Sequence, residues 1–310
     1  KKENVLKKKR DSFYSKISNA ANKINVNYDF TILIEIINEI LGNYYDFYDI
    51  IMQLCELINN LFQLSNEIWL KKFLMDVIIN NEDKYLNKQE FMEIFLQTLC
   101  LMVKSDTSIL EMDSQSILFF ISKLMDTKLN LNLVIWIIKI FKQITKAKSI
   151  NSSGNTNELL KILDTIIEME SLHEDELIYY ISLIIGSMCS NTTFYLDNKT
   201  QNYFVFLLKY ISKKDAFNVL QGKILEDMKN ISVYFLIDEE YCLIEVANCL
   251  TNLFEKNLEN SNKKNLMNIF QITSSLCIKS ESLKLAFGEL KFQLKLKELI
   301  EKDVLQDTML

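Results

Sequence analysis

Residues 91–103 read FMEIFLQTLCLMV and carry a clear helical pattern. Side chains suited to a core recur there every three or four positions, at Phe91, Ile94, Phe95, Thr98, Leu99, Met102 and Val103. This spacing places them on one face of an α-helix and does not fit the two-residue alternation of a half-buried strand. The same pattern recurs over residues 117–125 and 204–211, so helices are predicted along most of the chain.

The composition excludes most alternatives to a helical fold. The 310 residues include only five glycines and no proline, whereas all-β folds need many turns built on Gly and Pro. The hydrophobic content of 49% is too high for a disordered chain. Because single cores stop growing near about 250–300 residues, the helices are predicted to stack as an α-solenoid, with a globular bundle as the alternative.

The chain divides into a basic arm and a larger body. Residues 1–27 are predicted to form a basic N-terminal arm, and residues 28–310 a helical repeat domain. Residues 1–23 contain eight basic and two acidic side chains, so this part carries +6 and the rest −12 of the formal net charge of −6. Residues 148–157, which contain three serines, three asparagines and Gly154, are predicted to be a loop, either a domain linker or a loop within one array.

One uncharged run has the length of a membrane span. Residues 177–196 contain no charged side chain, and about 20 apolar residues are enough to cross a bilayer. However, Ser, Asn and Thr residues crowd the second half of this run. It is therefore predicted to be a buried helix followed by a polar turn, and no membrane span is expected.

The sequence offers little material for catalysis or metal binding. It has one histidine, His173, and one arginine, Arg10, and its glycines lie too far apart for a phosphate-binding loop. We therefore expect no enzyme activity, no metal and no cofactor. The six cysteines form no C-x-x-C pair and mostly lie in apolar helical stretches. They are predicted to be buried thiols in a reducing compartment, the cytoplasm or the nucleus.

A short motif connects the chain to a known class of repeat proteins. Residues 245–253 read EVANCLTNL and resemble the last helix of an armadillo repeat, and residues 185–188 and 228–231 similarly end apolar helical stretches. The resemblance implies an all-α, right-handed α-solenoid of stacked armadillo- or HEAT-like repeats. The choice between these two repeat types stays open. Such a fold implies protein binding rather than catalysis.

The basic arm is similar in character to that of importin-alpha transport adaptors, which are armadillo proteins whose arm binds importin-beta. Residues 3–16 read ENVLKKKRDSFYSK. The resemblance implies that an importin-beta-type receptor would contact the bases of the arm, which are Lys7, Lys8, Lys9, Arg10 and Lys16. An apolar stripe from Leu6 to Ile17 favours a structured protein partner over a nucleic acid or lipid surface, and no nucleic acid is expected. A solvated end without a specific role is the other alternative.

The resemblance also implies a groove for a basic peptide cargo on the concave face. Importin-alpha adaptors hold such peptides with Trp and Asn residues four positions apart, but here Trp69 is followed by Phe73 and Trp136 by Ile140. The groove residues implied in this chain are Glu226, Asn230, Asn248 and Asn252. Helix capping and solvated turns are the alternative explanations for the asparagines.

Two functions are therefore compatible with the sequence. The first is a divergent importin-alpha-like nuclear import adaptor, which binds a receptor through its arm and cargo through its groove. The second is a structural scaffold in a cytoskeletal, ciliary or other stable assembly. The basic arm favours the adaptor, whereas the missing Trp-x-x-x-Asn pairs favour the scaffold.

Overall fold

The structure is a computed structural model, and it describes eleven main segments of the chain. These are residues 48–64, 68–79, 89–105, 108–127, 129–146, 153–169, 173–190, 198–214, 218–237, 240–260 and 262–289, with a few isolated positions besides. The described residues are helical and contain no strand, so the all-α prediction is confirmed for them.

The helices, numbered here in chain order, are α1 Tyr48–Leu64, α2 Ile68–Ile79, α3 Gln89–Ser105, α4 Ser108–Met125, α5 Leu131–Lys146, α6 Ser153–Glu168, α7 Asp175–Ser190, α8 Asn198–Ser212, α9 Val219–Ser232, α10 Glu240–Glu259, α11 Lys263–Lys279 and α12 Glu281–Glu289. Most are 14–20 residues long. None of the described helices is both long enough and apolar enough to cross a membrane.

The chain forms two compact units, Lys1–Leu172 and His173–Leu310. In the first unit, helix α3 packs against both α1 and α5, and helix α4 packs against both α2 and α6. Helices that alternate along the sequence are therefore neighbours in space. They form an odd-numbered row of α1, α3 and α5, and an even-numbered row of α2, α4 and α6.

The second unit is organised in the same way. Its odd row is α7, α9 and α11, and its even row is α8, α10 and α12. Contacts of α8 with α9, and of α11 with α10 and α12, join the two rows. Aromatic rings lie in the core between them, with the ring centroids of Phe204 and Phe235 5.0 Å apart. Each fully buried apolar side chain stabilises the fold by about 1.5–3 kcal/mol relative to its exposed state.

A regular sequence spacing accompanies these rows. Counted from α5, each following odd-numbered helix, α7, α9 and α11, begins 44 residues after the one before it. The residue before three of these helices is an asparagine whose side-chain oxygen accepts the free amide of the third helical residue: Asn130 from Leu133 at 2.9 Å, Asn218 from Gln221 at 2.9 Å and Asn262 from Asn265 at 3.1 Å. Asparagine is among the strongest N-cap residues.

Burial follows the same 44-residue register. Four equivalent positions are buried in each of α5, α7, α9 and α11. They are Leu133, Ile137, Ile140 and Ile144 in α5; Leu177, Ile181, Ile184 and Met188 in α7; Gln221, Leu225, Met228 and Ser232 in α9; and Asn265, Ile269, Ile272 and Leu276 in α11. Each helix therefore turns an equivalent face towards its core. The first position changes from leucine to an amide in α9 and α11, and the last becomes serine in α9.

The predicted loop over residues 148–157 extends too far towards its C-terminal end, because α6 begins at Ser153. Residues 148–152 lie outside the described part of the chain. Serine, glycine and asparagine disfavour a helix interior, but they are tolerated in the first turn, where backbone amides lack helical partners. Buried Leu159, Ile162 and Ile166 then fix the helix against its unit.

Candidate interaction surfaces

The bases of the arm, Lys7, Lys8, Lys9, Arg10 and Lys16, lie outside the described residues. Their role in binding a receptor stays a prediction from the sequence. The four groove residues, in contrast, all lie on described helices of the second unit.

The groove residues form two pairs. Glu226 and Asn230 lie one turn apart on α9 of the odd row, and Asn248 and Asn252 lie one turn apart on α10 of the even row. All three asparagines are exposed. The structure thus joins the members of each pair on one helix face but places the two pairs on different rows. A peptide-binding series of residues along successive helices of one row would therefore include only one of the two pairs.

The carboxylate of Glu226 is already paired within the unit. Lys264 Nζ on α11 lies 3.0 Å from Glu226 Oε2, and both side chains are well exposed. The hydrogen bond from Lys264 and its positive charge lower the pKa of Glu226. This exposed pair contributes little to stability, but it occupies the acid that a basic peptide would contact on α9.

The exposed stripe on α10 is more open to a partner. Ile244, Asn248 and Asn252 follow one another every four residues and are all exposed, with Ile244 58% exposed. Next to this stripe, Lys209 on α8 forms an ion pair with Glu245 at 2.5 Å. The even row therefore presents two amides and one apolar side chain beside a paired charge.

A second group of exposed apolar side chains lies where α9 and α11 end. Val233, Tyr234 and Leu236 follow α9 and are exposed, whereas Phe235 between them is buried. Lys279, at the end of α11, donates a hydrogen bond from Nζ to the carbonyl oxygen of Val233. The neighbouring Ile278 is 77% exposed. We call Val233, Tyr234, Leu236 and Ile278 the apolar end group.

A network of polar side chains centres on Asp175, the first residue of α7. Asp175 Oδ1 accepts from the hydroxyl of Tyr210 on α8 at 2.6 Å. Gln221 Nε2, on α9, lies 3.1 Å from both carboxylate oxygens, and Asn218 Nδ2 also donates to Oδ2. Lys214 Nζ lies 3.5 Å from Oδ1. One carboxylate thus ties the start of α7 to the end of α8 and the start of α9.

The environment shifts two acids of this network in opposite directions. Partial burial alone would raise the pKa of Asp175, but the hydrogen bonds from Tyr210, Gln221 and Asn218, together with the charge of Lys214, lower it overall. Burial, followed by the hydrogen bond to Asp175, raises the pKa of Tyr210 well above its usual value. Asp175 is therefore held as an anion by three neutral donors and the charge of Lys214. Hydrogen bonds to an ionised acceptor are stronger than neutral ones, so they hold α7, α8 and α9 together.

A cluster of buried amides includes Asn265, which lies 44 residues after Gln221 of the Asp175 network. Asn265 Nδ2 on α11 donates to Asn257 Oδ1 on α10 at 3.0 Å, and Asn257 Nδ2 donates to the carbonyl of Leu253. Asn257 and Asn265 are both buried. Sequence reasoning identified neither this cluster nor the Asp175 network. The asparagines at positions 218 and 262, 44 residues apart, are a sequence signal for the two helix starts, but they do not reveal the partners of either cluster.

His173, Cys55 and Cys189 are residue types that can carry chemistry, but each of them packs against other side chains of the fold. The ring of His173 packs edge-on against Phe206, with centroids 5.2 Å apart. Burial raises the pKa of Cys55 and of Cys189 to about 12, so both thiols are protonated at neutral pH. Within the described segments, no three His, Cys, Asp or Glu side chains converge so that they could hold a metal ion.

No protein-family model, no curated protein and no solved structure matches this chain.

Proposed function

We propose that this chain is a non-catalytic protein-interaction module built from armadillo/HEAT-type helical repeats. The observation that carries the proposal is the alternation of helices between two rows, accompanied by the 44-residue spacing of helix starts, caps and buried positions. Solenoid repeats of about 40–47 residues have this period. Proteins of that kind expose long, regular surfaces that bind other proteins.

The proposed repeat is closer to HEAT than to armadillo. One 44-residue period in the second unit contains two helices, such as α7 with α8 or α9 with α10. HEAT repeats have two helices, whereas armadillo repeats have three. The resemblance of residues 245–253 to an armadillo helix covers only the middle of α10, which supports the wider repeat class more than the specific type.

The surface proposed for a partner is the even row of the second unit. On α10 the exposed stripe of Ile244, Asn248 and Asn252 offers amides that donate to and accept from a peptide backbone. The pair on α9 is a weaker candidate, because Lys264 engages Glu226. The experiment compares Asn248→Ala/Asn252→Ala with Asn132→Ala/Asn157→Ala, which removes two exposed asparagines of the first unit, outside the even row of the second.

Crosslinking of cell extracts to the purified chain, followed by mass spectrometry, would identify partners and map their contacts. The proposal predicts crosslinks to proteins along α10, and a loss of at least several-fold in affinity for the α10 double variant only. Equal loss in both double variants, or unchanged binding in the α10 variant, would argue against this surface.

The more specific proposal is an importin-alpha-like adaptor. It is supported by the +6 charge of residues 1–23 on a chain with net charge −6, and by the resemblance of residues 3–16 to the receptor-binding arm. The test measures binding of a purified importin-beta-type receptor to the full chain and to a version lacking residues 1–27, over a range of salt concentrations. Tight, salt-sensitive binding that truncation abolishes would support an adaptor.

A charge-matched comparison separates the arm from general electrostatics. Lys8→Gln/Lys9→Gln should weaken receptor binding and flatten its salt dependence, whereas Lys213→Gln/Lys263→Gln removes two exposed lysines elsewhere and should leave both unchanged. If neither the full chain nor the truncated chain binds the receptor, the adaptor proposal fails and the scaffold function remains. A scaffold would co-purify with fixed partners through surfaces other than the arm.

A further inference from the structure

We draw no further inference here: the strongest candidate, the apolar end group of Val233, Tyr234, Leu236 and Ile278 around the hydrogen bond from Lys279 to Val233, carries no proposal because nothing in the structure shows what covers it.

Discussion

Replacing Asp175 with alanine should destabilise the second unit far more than its position at a helix start suggests. The carboxylate accepts hydrogen bonds from Tyr210, Asn218 and Gln221 and lies near Lys214. Only 22% of the Asp175 side chain is exposed, so water replaces these partners poorly. Alanine removes the acceptor for donors that come from α8, from the connection before α9 and from α9 itself.

The expected magnitude follows from the number and burial of these donors. A hydrogen bond to a charged group contributes about 1.5–3 kcal/mol, and a buried donor left without a partner costs about 1–3 kcal/mol. Gln221 is only 4% exposed, and its Nε2 would lose both of its contacts with Asp175. Because members of one network are not additive, we expect a total loss of about 3 kcal/mol in the free energy of unfolding.

The matched control is Glu281→Ala. Glu281 is also an acid at the first position of a helix, α12, but it is exposed and its partner is Lys284 in the same first turn, at 2.5 Å. Both substitutions remove one negative charge from a helix N-terminus, so the effect of the helix dipole is similar. Because an exposed ion pair contributes about 0–1 kcal/mol, the control should change stability only slightly.

The assay is urea unfolding followed by far-ultraviolet circular dichroism, combined with hydrogen exchange measured by mass spectrometry on peptides from 173–190 and 218–232. Asp175→Ala should lower the unfolding midpoint and speed exchange in both segments, whereas Glu281→Ala should do neither. A stability loss for Asp175→Ala that stays within about 0.5 kcal/mol of the control would mean that the network contributes no more than an ordinary surface residue, because surface changes fall in that range.

The pH dependence provides an independent check with Asp175→Asn. The folded state holds this carboxyl at a lower pKa than its ordinary value, so the ionised form stabilises the fold above about pH 4. This contribution is lost as the pH falls through the folded-state pKa. The difference in unfolding free energy between the wild type and Asp175→Asn should therefore shrink as the pH is lowered from 7 to 3. A difference that stays constant over this range would mean that the charge has no part in the effect.

Three further predictions concern the core, a glycine and the thiols. Ile272→Ala, at a fully buried position of α11, should cost about 2–5 kcal/mol in urea unfolding, whereas Ile278→Ala on the same helix is 77% exposed and should cost under about 0.5 kcal/mol. Gly186→Ala should raise the unfolding free energy by about 0.5–1 kcal/mol, since the added Cβ would meet its nearest neighbour at an ordinary 3.5 Å; a loss of stability would contradict this packing. A thiol reagent at pH 8 should label the half-buried Cys277 before Cys189, because burial raises the pKa of Cys189 to about 12. Peptide mapping would reveal the reverse order of labelling, which would contradict this prediction. Labelling in urea, where both thiols should react fully, is the control.

Much of the helical content was predictable, because it depends on local pattern. The apolar spacing over residues 91–103 predicted α3, and the same spacing over residues 117–125 and 204–211 predicted parts of α4 and α8. The Asn218 cap could also be read locally, since its partner Gln221 lies only three residues away. The predicted loop over residues 148–157 extended past the start of α6 at Ser153, because Ser, Gly and Asn suit both a loop and a first helical turn.

The candidate surfaces were less predictable, because they depend on which helices become neighbours. Asn230 and Asn252 seemed equivalent in sequence, each ending an apolar stretch, yet they lie on different rows. Asp175 is an acid in the first turn of α7, and such acids are common at helix starts because of the helix dipole. Its donors Tyr210 and Gln221 lie 35 and 46 residues away, and no local pattern connects them.

Local sequence pattern accounts for the described helices and their asparagine N-caps, because helix formation depends on apolar spacing and on side chains within four residues of each other. Only the packing of the second unit places α7, α9 and α11, which begin 44 residues apart, in one row and buries Gln221 at a position where Leu177 stands one period earlier. The physical reason is that burying an amide requires partners for its hydrogen bonds. Those partners exist only once α7, α8 and α9 have packed together.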